Sequence, residues 1–106
     1  MPSILISGAG QGIGAAAAKL FYQQGYKVGI YDINAVQAQK LAQQLGENAK
    51  AGLLDVANME HWQNALTEFT QWAGELNVLV NNAGIQFVSP IEDFPDEKWD
   101  LIIALN

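Results

Sequence analysis

An α/β fold, with a parallel sheet covered by helices on both faces, is predicted by two features of the sequence. Short apolar segments alternate with amphipathic ones along the chain, which indicates a strand–helix unit used repeatedly. The apolar segments are nearly uninterrupted, and strands of that kind are buried on both faces of a sheet. Right-handed crossovers between parallel strands then favour the order 3-2-1-4 for the first four strands.

Each predicted element has a boundary signal. The predicted strands are "SILIS", "KVGIYD" ending at Asp32, "KAGLLD" ending at Asp55, and "NVLVNN". The first helix, "AAAAKLFYQQ", ends before Gly25, and the next two begin after the capping residues Asn34 and Asn58. The third helix has one apolar stripe, consisting of Trp62, Ala65, Leu66, Phe69, Trp72, Ala73 and Leu76. A loop with Pro90 and Pro95 follows the fourth strand, and "DEKWDLIIALN" predicts a last helix.

Composition excludes several classes of protein. The chain has 106 residues, half of them hydrophobic, so we expect one folded domain with its own core. Its net charge is −6, and no basic cluster is present, which disfavours binding to nucleic acid or to an anionic membrane. With no Cys and one His, His61, we expect no metal site, and we expect His61 to lie at the surface. The sequence shows neither a membrane span nor a signal peptide, so we expect a cytoplasmic protein.

Four glycines lie between the first predicted strand and the first predicted helix. They are Gly8, Gly10, Gly12 and Gly14 in "ISGAGQGIG". A helix N-terminus offers unpaired N–H groups and a partial positive charge, and both favour a phosphate. Glycines allow the backbone to approach a pyrophosphate without an intervening Cβ. A tight strand-to-helix turn is the alternative explanation of the glycines.

An acidic residue, Asp32, ends the second predicted strand 18 residues after Gly14. In dinucleotide-binding units, an acidic residue at this place accepts hydrogen bonds from the adenosine ribose hydroxyls. A solvated turn residue is the alternative for Asp32 alone. The two features together predict a nucleotide site. An adenosyl-methionine site also combines a glycine-rich turn with an acidic residue at the end of the second strand, and it remains the competing prediction.

These motifs resemble those of the short-chain dehydrogenases/reductases, over essentially the whole chain. Ser7, Gly8, Gly12 and Gly14 fit the family pattern Thr/Ser-Gly-x-x-x-Gly-x-Gly, "DV" at 55–56 fits its adenine motif, and "NNAG" at 81–84 is present. The resemblance implies a Rossmann-type domain over residues 1–106, incomplete relative to the full family domain, and NAD as the cofactor. The cofactor-binding residues that it implies are Ser7, Gly8, Gln11, Gly12, Ile13, Gly14, Asp32, Ile33, Asp55, Val56, Asn82, Ala83 and Gly84.

The end of the chain carries a narrower resemblance. Residues 81–106 are similar to bacterial 3-hydroxybutyrate dehydrogenases, which implies that Gln86 binds a substrate carboxylate. Phe87 departs from the His often found there. Asn106 falls at the position of the family's catalytic Asn. The resemblance implies hydride transfer between nicotinamide and a secondary alcohol that is a small molecule. It also implies a homo-oligomer, either a dimer or a tetramer.

One departure from the family concerns the chemistry. The family's Ser and its Tyr-x-x-x-Lys pair lie beyond position 106, so we expect residues 1–106 alone to be inactive. The alternative function is a non-catalytic nucleotide-binding module. In the family the fourth strand also pairs with a fifth, and without that strand we expect an exposed edge.

Overall fold

Six strands form one sheet in the part of the chain that the computed structural model describes, which is residues 1–82 with the backbone of 86–90 and 103–105. The elements, in chain order, are β1 (Ser3–Ser7), α1 (Gly12–Gln23), β2 (Lys27–Asp32), α2 (Ala35–Leu45), β3 (Ala49–Leu53), α3 (Met59–Ala73), β4 (Val78–Asn81), β5 (Gln86–Pro90) and β6 (Ile103–Leu105). The strand order is β3-β2-β1-β4-β5-β6. The pairs β1–β2, β1–β4 and β2–β3 are parallel, which confirms the predicted order 3-2-1-4.

The core lies in two layers because successive residues of a strand point to opposite faces of the sheet. Ile4 and Ile6 of β1 lie on the face covered by α1 and α2, whereas Leu5 lies on the face covered by α3. All five residues of β1 are buried, as a central strand with helices on both sides requires.

Two strand glycines make room for aromatic rings on the α3 face. A Cβ on Gly29 of β2 would lie 2.7 Å from the ring of Phe69, and one on Gly52 of β3 would overlap the ring of Tyr31. Tyr31 and Phe69 are fully buried and pack in a T-shaped, edge-to-face arrangement, with ring centroids 6.4 Å apart. The small residues in β2 and β3 therefore allow α3 to seat its large side chains close to the sheet.

The region after β4 differs from the prediction. Pro90 was expected in a loop, but it ends β5, which runs antiparallel to β4 and pairs Pro90 with Val78. The exposed edge predicted for β4 is therefore wrong for the described residues. β6 pairs only with residues 86–88 of β5, so the missing N–H of Pro90 lies beyond that ladder, where a proline is tolerated.

The predicted last helix is wrong at residues 103–105, which form β6. A short apolar run is compatible with a helix or a strand, and here the open edge of β5 supplies backbone partners for it. The rest of that predicted helix and Pro95 lie outside the described residues.

Smaller corrections concern element ends. β3 ends at Leu53, two residues before Asp55, because the chain leaves the sheet where Leu54 turns into the α3-side core. α1 begins at Gly12, earlier than the alanine run, and α3 ends at Ala73, so Leu76 joins the same apolar cluster from beyond the helix. Among the described residues, no helix has the length and apolar character needed to cross a membrane.

Candidate cofactor-binding site

The predicted site residues meet at the carboxyl edge of the parallel strands. Ser7 ends β1, Asp32 ends β2 and Asn81 ends β4, and Ser7 lies in register with Asn81. In open α/β sheets, ligands bind in the crevice outside this edge, where the strand order reverses. The reversal here falls at β1, between β2 and β4.

The glycine turn brings the chain from β1 into α1 through two residues with left-handed backbone. Gly8 has φ 64° and Gly12 has φ 65°, which glycine adopts with little cost. A Cβ on Gly12 would have nothing within 4 Å, so the space in front of this residue is open. The turn therefore presents bare backbone to open space.

The start of α1 has no side-chain cap. Its N-cap residue, Gln11, is extended and makes no capping hydrogen bond, and no acidic residue occupies the first turn. α2 and α3 differ, because Asn34 accepts a hydrogen bond from the N–H of Gln37 and Asn58 accepts one from the N–H of His61. The first N–H groups of α1 are thus the donors that a phosphate could satisfy. The shape and the donors of this turn fit a pyrophosphate.

Asp32 is buried, at 8% exposure, and both of its carboxylate oxygens accept backbone N–H groups. Oδ2 accepts from Gly10 and Oδ1 from Asn34, each at 2.8 Å. The solvated-turn alternative is therefore wrong for Asp32. The carboxylate joins the glycine turn to the β2–α2 turn, and an ionised carboxylate still has acceptor capacity for ribose hydroxyls.

Gly10, which the family pattern leaves variable, has a role that sequence reasoning missed. A Cβ at this position would lie 3.0 Å from Oδ2 of Asp32 and 3.3 Å from Cβ of Gln37. The close approach that brings the Gly10 N–H to Asp32 thus favours glycine. The only signal available in the sequence was the presence of an extra glycine in the turn.

A polar network joins the ends of β1 and β4. The Ser7 hydroxyl donates to Oδ1 of Asn81 at 2.7 Å and accepts from the N–H of Asn82 at 3.0 Å. Nδ2 of Asn82 donates to the carbonyl of Gly8 at 3.2 Å. A Cβ on Gly14 would lie 2.7 Å from that Nδ2, so the structure gives Gly14 a packing role under the turn.

The segment after β3 is held by the first turn of α3. The N–H of Asp55 donates to Nδ1 of His61 at 3.0 Å, and Nε1 of Trp62 donates to the carbonyl of Val56 at 2.9 Å. Asp55 also accepts the N–H of Ala57 with its own side chain. His61 is half-buried and not fully at the surface as predicted, because its ring accepts the N–H of Asp55.

Exposed side chains flank this edge. Ile13 on α1 is 74% exposed and Ile33 after β2 is 66% exposed, and Gln11 is also exposed. A separate groove of about 570 Å³ runs between α1 and α2. It reaches Gly10 and Gly12 at one end, but Asp32, Asp55 and Asn82 do not line it, so it is distinct from the predicted crevice.

Of the remaining predicted site residues, the structure describes one. Gln86 begins β5, where its backbone pairs with Leu105. Ala83, Gly84 and Asn106 lie outside the described residues. The structure therefore brings together the glycine turn, Asp32 and Asn82, and it puts the Asp55–Val56 segment after the neighbouring strand β3.

Comparison with known proteins defines the class. The family model described as short chain dehydrogenase matches residues 2–106, and the chain belongs to this family. It is 36% identical over 107 residues to the D-beta-hydroxybutyrate dehydrogenase of Cupriavidus necator, covering 96% of this chain and 41% of that enzyme. It is 34% identical over 102 residues to the sorbitol dehydrogenase of Cereibacter sphaeroides, covering 96% of this chain and 40% of that enzyme.

A solved structure gives the same fold. The 3-ketoacyl-(acyl-carrier-protein) reductase from Brucella melitensis, complexed with NADH, superposes with a TM-score of 0.72 and 31% identity. The match covers 74% of this chain and 32% of that one. The chain spans about 40% of the length of the curated relatives that it matches.

Proposed function

We propose that residues 1–106 form the NAD-binding part of a dehydrogenase that interconverts a secondary alcohol and a ketone. The observation that carries this proposal is the buried Asp32 carboxylate, fixed by the N–H of Gly10 beside an uncapped helix start. Family membership and the NADH complex of a structural relative support a nicotinamide cofactor. When bound, that cofactor supplies the hydride acceptor or donor.

Asp32 is the basis for choosing NAD over NADP. Its carboxylate would accept hydrogen bonds from ribose hydroxyls but would repel a 2′-phosphate. At about 4 Å and an effective dielectric constant of about 20, two like charges repel by about 4 kcal/mol. Neither Gln11 nor Ile33, the exposed neighbours of the crevice, supplies a positive charge to offset the repulsion.

Paired binding measurements test this choice. In the complete protein, NADH should bind more tightly than NADPH, and Asp32→Asn should narrow the difference by removing the charge. The amide keeps one of the two acceptors for Gly10 and Asn34, so the turn is only partly loosened. Equal or tighter NADPH binding by the wild-type protein would contradict the proposal.

We propose that proton transfer is carried out by residues after position 106 together with Asn106, which would be a member of the relay. Residues 1–106 carry three tyrosines, and none has a Lys four positions later. Burial and the hydrogen bond to Glu68 raise the pKa of Tyr31, which makes it a poor acid or base. General acid–base catalysis contributes about 10²–10⁴-fold. We therefore expect residues 1–106 alone to show no NAD reduction with any alcohol. A steady rate that falls in Asn106→Ala would contradict this.

We propose 3-hydroxybutyrate as the substrate, bound through its carboxylate by Gln86. The resemblance of residues 81–106 supports this, as does the similarity to a D-beta-hydroxybutyrate dehydrogenase. A sorbitol dehydrogenase matches with nearly the same identity, so the test must compare both substrates. In the complete enzyme, Gln86→Ala should raise KM for 3-hydroxybutyrate and leave NADH affinity unchanged. A preference for sorbitol, or an unchanged KM, would refute the substrate assignment.

A further inference from the structure

The first turn of α3 reaches back to the segment before it through two consecutive side chains. His61 accepts the N–H of Asp55, and Trp62 donates to the carbonyl of Val56. We infer that His61 and Trp62 are positioning residues for adenine, because they hold the Asp55–Val56 segment that would contact it. This inference rests on the proposed function, since it requires a dinucleotide in the crevice.

Three consecutive peptide groups of this segment are held. The group before Asp55 is held through its N–H by His61. The group between Asp55 and Val56 is held through its carbonyl, which accepts the N–H of Asn58 at 2.9 Å. The group after Val56 is held at both ends, by Trp62 at the carbonyl and by the Asp55 side chain at the N–H of Ala57. A segment with every peptide plane fixed is pre-organised for a ligand.

These bonds leave a specific donor unused. They employ the N–H groups of Asp55, Ala57 and Asn58 but not that of Val56. The plane of the Val56 N–H is nonetheless set, because the carbonyl of the same peptide group is bound by Asn58. A flat heterocycle with ring-nitrogen acceptors, such as adenine, suits a fixed backbone donor beside the half-buried Val56 side chain.

The two side chains belong to the α3 layer as well as to the turn. Trp62 packs against the cluster of Leu5, Phe69 and their neighbours, and the cap at Asn58 fixes the backbone of His61 at 3.1 Å. The turn is therefore held by groups that are themselves anchored in the core. Because His61 and Trp62 are held in this way, they can fix the backbone of the Asp55–Val56 segment.

The experiment compares two fragments of the dinucleotide as probes, one with the adenine and one without it. ADP-ribose contains the adenine, whereas reduced nicotinamide mononucleotide (NMNH) lacks it. Binding of each is measured by calorimetric titration of the complete protein as wild type, His61→Ala, His61→Asn and Trp62→Phe. The amide oxygen of Asn can replace the Nδ1 acceptor, and Phe keeps the ring but loses the donor. Gln63→Ala, an exposed position next to Trp62 on the same helix, is the matched control.

The expected result is a loss of affinity for ADP-ribose and not for NMNH. His61→Ala and Trp62→Phe should each weaken ADP-ribose about 3- to 10-fold, as expected for one lost hydrogen bond, and leave NMNH unchanged. His61→Asn and Gln63→Ala should bind both probes like the wild type. Equal weakening of both probes, or no rescue by Asn, would overturn the inference and reduce these residues to general stabilisers of α3. Wild-type protein that binds neither ADP-ribose nor NADH would instead refute the proposed function itself, and this inference with it.

Discussion

The turns that lead into α1 and α3 lie at the same edge of the sheet, yet they begin their helices in opposite ways. The turn before α3 is held by its own side chains: the side chain of Asn58 caps the helix, and His61 and Trp62 bind the preceding backbone. The turn before α1 has an extended Gln11 with no cap and left-handed glycines beside open space. A helix start without a cap gives up about 1 kcal/mol of stability. The difference is that the first turn leaves the N–H groups at its helix start without a side-chain cap, whereas the turn before α3 fixes its backbone with its own side chains.

The largest expected effect comes from closing the open space of the first turn. Gly12→Val should reduce NADH affinity by at least about 100-fold, because a branched side chain would lie where the pyrophosphate approaches, and because a non-glycine residue at φ 65° costs about 1–3 kcal/mol. Isothermal titration measures the affinity, and thermal unfolding measures the strain.

Gly74 offers a matched control for Gly12→Val. It has φ 91°, and a Cβ there would also have nothing within 4 Å, but it ends α3 away from the glycine turn. Gly74→Val should lower stability by a similar amount and leave NADH affinity intact. If both variants lose NADH binding equally, backbone strain rather than occupied space explains the result.

A side-chain cap on α1, like the one that α3 already has, should raise the stability of the fold and weaken the binding of NADH. Gln11→Asp places a carboxylate at the N-cap, where it accepts the first N–H groups and would repel phosphate. We expect a gain of about 1 kcal/mol in the free energy of unfolding and at least about a tenfold loss of NADH affinity. Gln11→Asn adds the cap without the charge, so its NADH affinity should fall less. An unchanged affinity in Gln11→Asp would show that the α1 start does not bind the phosphates.

Gly10→Ala tests the link between the first turn and Asp32. The added Cβ would lie 3.0 Å from Oδ2 of Asp32, so the carboxylate must shift. We expect the preference for NADH over NADPH to fall about 3- to 10-fold, the effect of one weakened hydrogen bond. The ratio of the two dissociation constants measures it. A ratio that stays at the wild-type value would mean that Gly10 does not set the position of Asp32.

Removing the cap of α3 should lower the stability of the fold. Asn58→Ala loses the hydrogen bond to the N–H of His61 and should cost about 1 kcal/mol in denaturant unfolding. Asn34→Ala removes the corresponding hydrogen bond to the N–H of Gln37 in α2, and it provides a second measurement of the stability that an N-cap contributes. A cost near zero for both would mean that the capped starts gain nothing over the uncapped start of α1.

The smallest effect concerns Tyr31, which is buried beneath α3. Its raised pKa means that the folded state binds the phenolic proton more tightly than the unfolded chain does. The resulting stability is fully present below the unfolded pKa of about 10 and is lost as the pH rises through the folded value. Unfolding free energy should therefore fall above about pH 10 in the wild type. Tyr31→Phe should show a shallower fall, and an identical slope would contradict the assignment.

Local patterns in the sequence were sufficient for the first four strands and three helices. The caps at Asn34 and Asn58 and the place of the glycine turn follow from apolar periodicity and short-range signals. The order 3-2-1-4 follows from right-handed crossovers between parallel strands. The prediction was wrong after β4, because Pro90 and the run at 103–105 take their structure from pairing partners far along the chain. A short apolar segment does not carry that information by itself.

The sequence by itself predicted the place of the glycine turn after β1 and of the carboxylate that ends β2, because both predictions depend on glycine, on charge and on strand ends. Only the tertiary structure decided how those groups are held. Gly10 faces Asp32 because β1 and β2 pair in register, and His61 reaches Asp55 because α3 packs against β3 and β2. Hydrogen bonds between separate turns depend on the positions of whole elements, and residue spacing along the chain does not specify those positions.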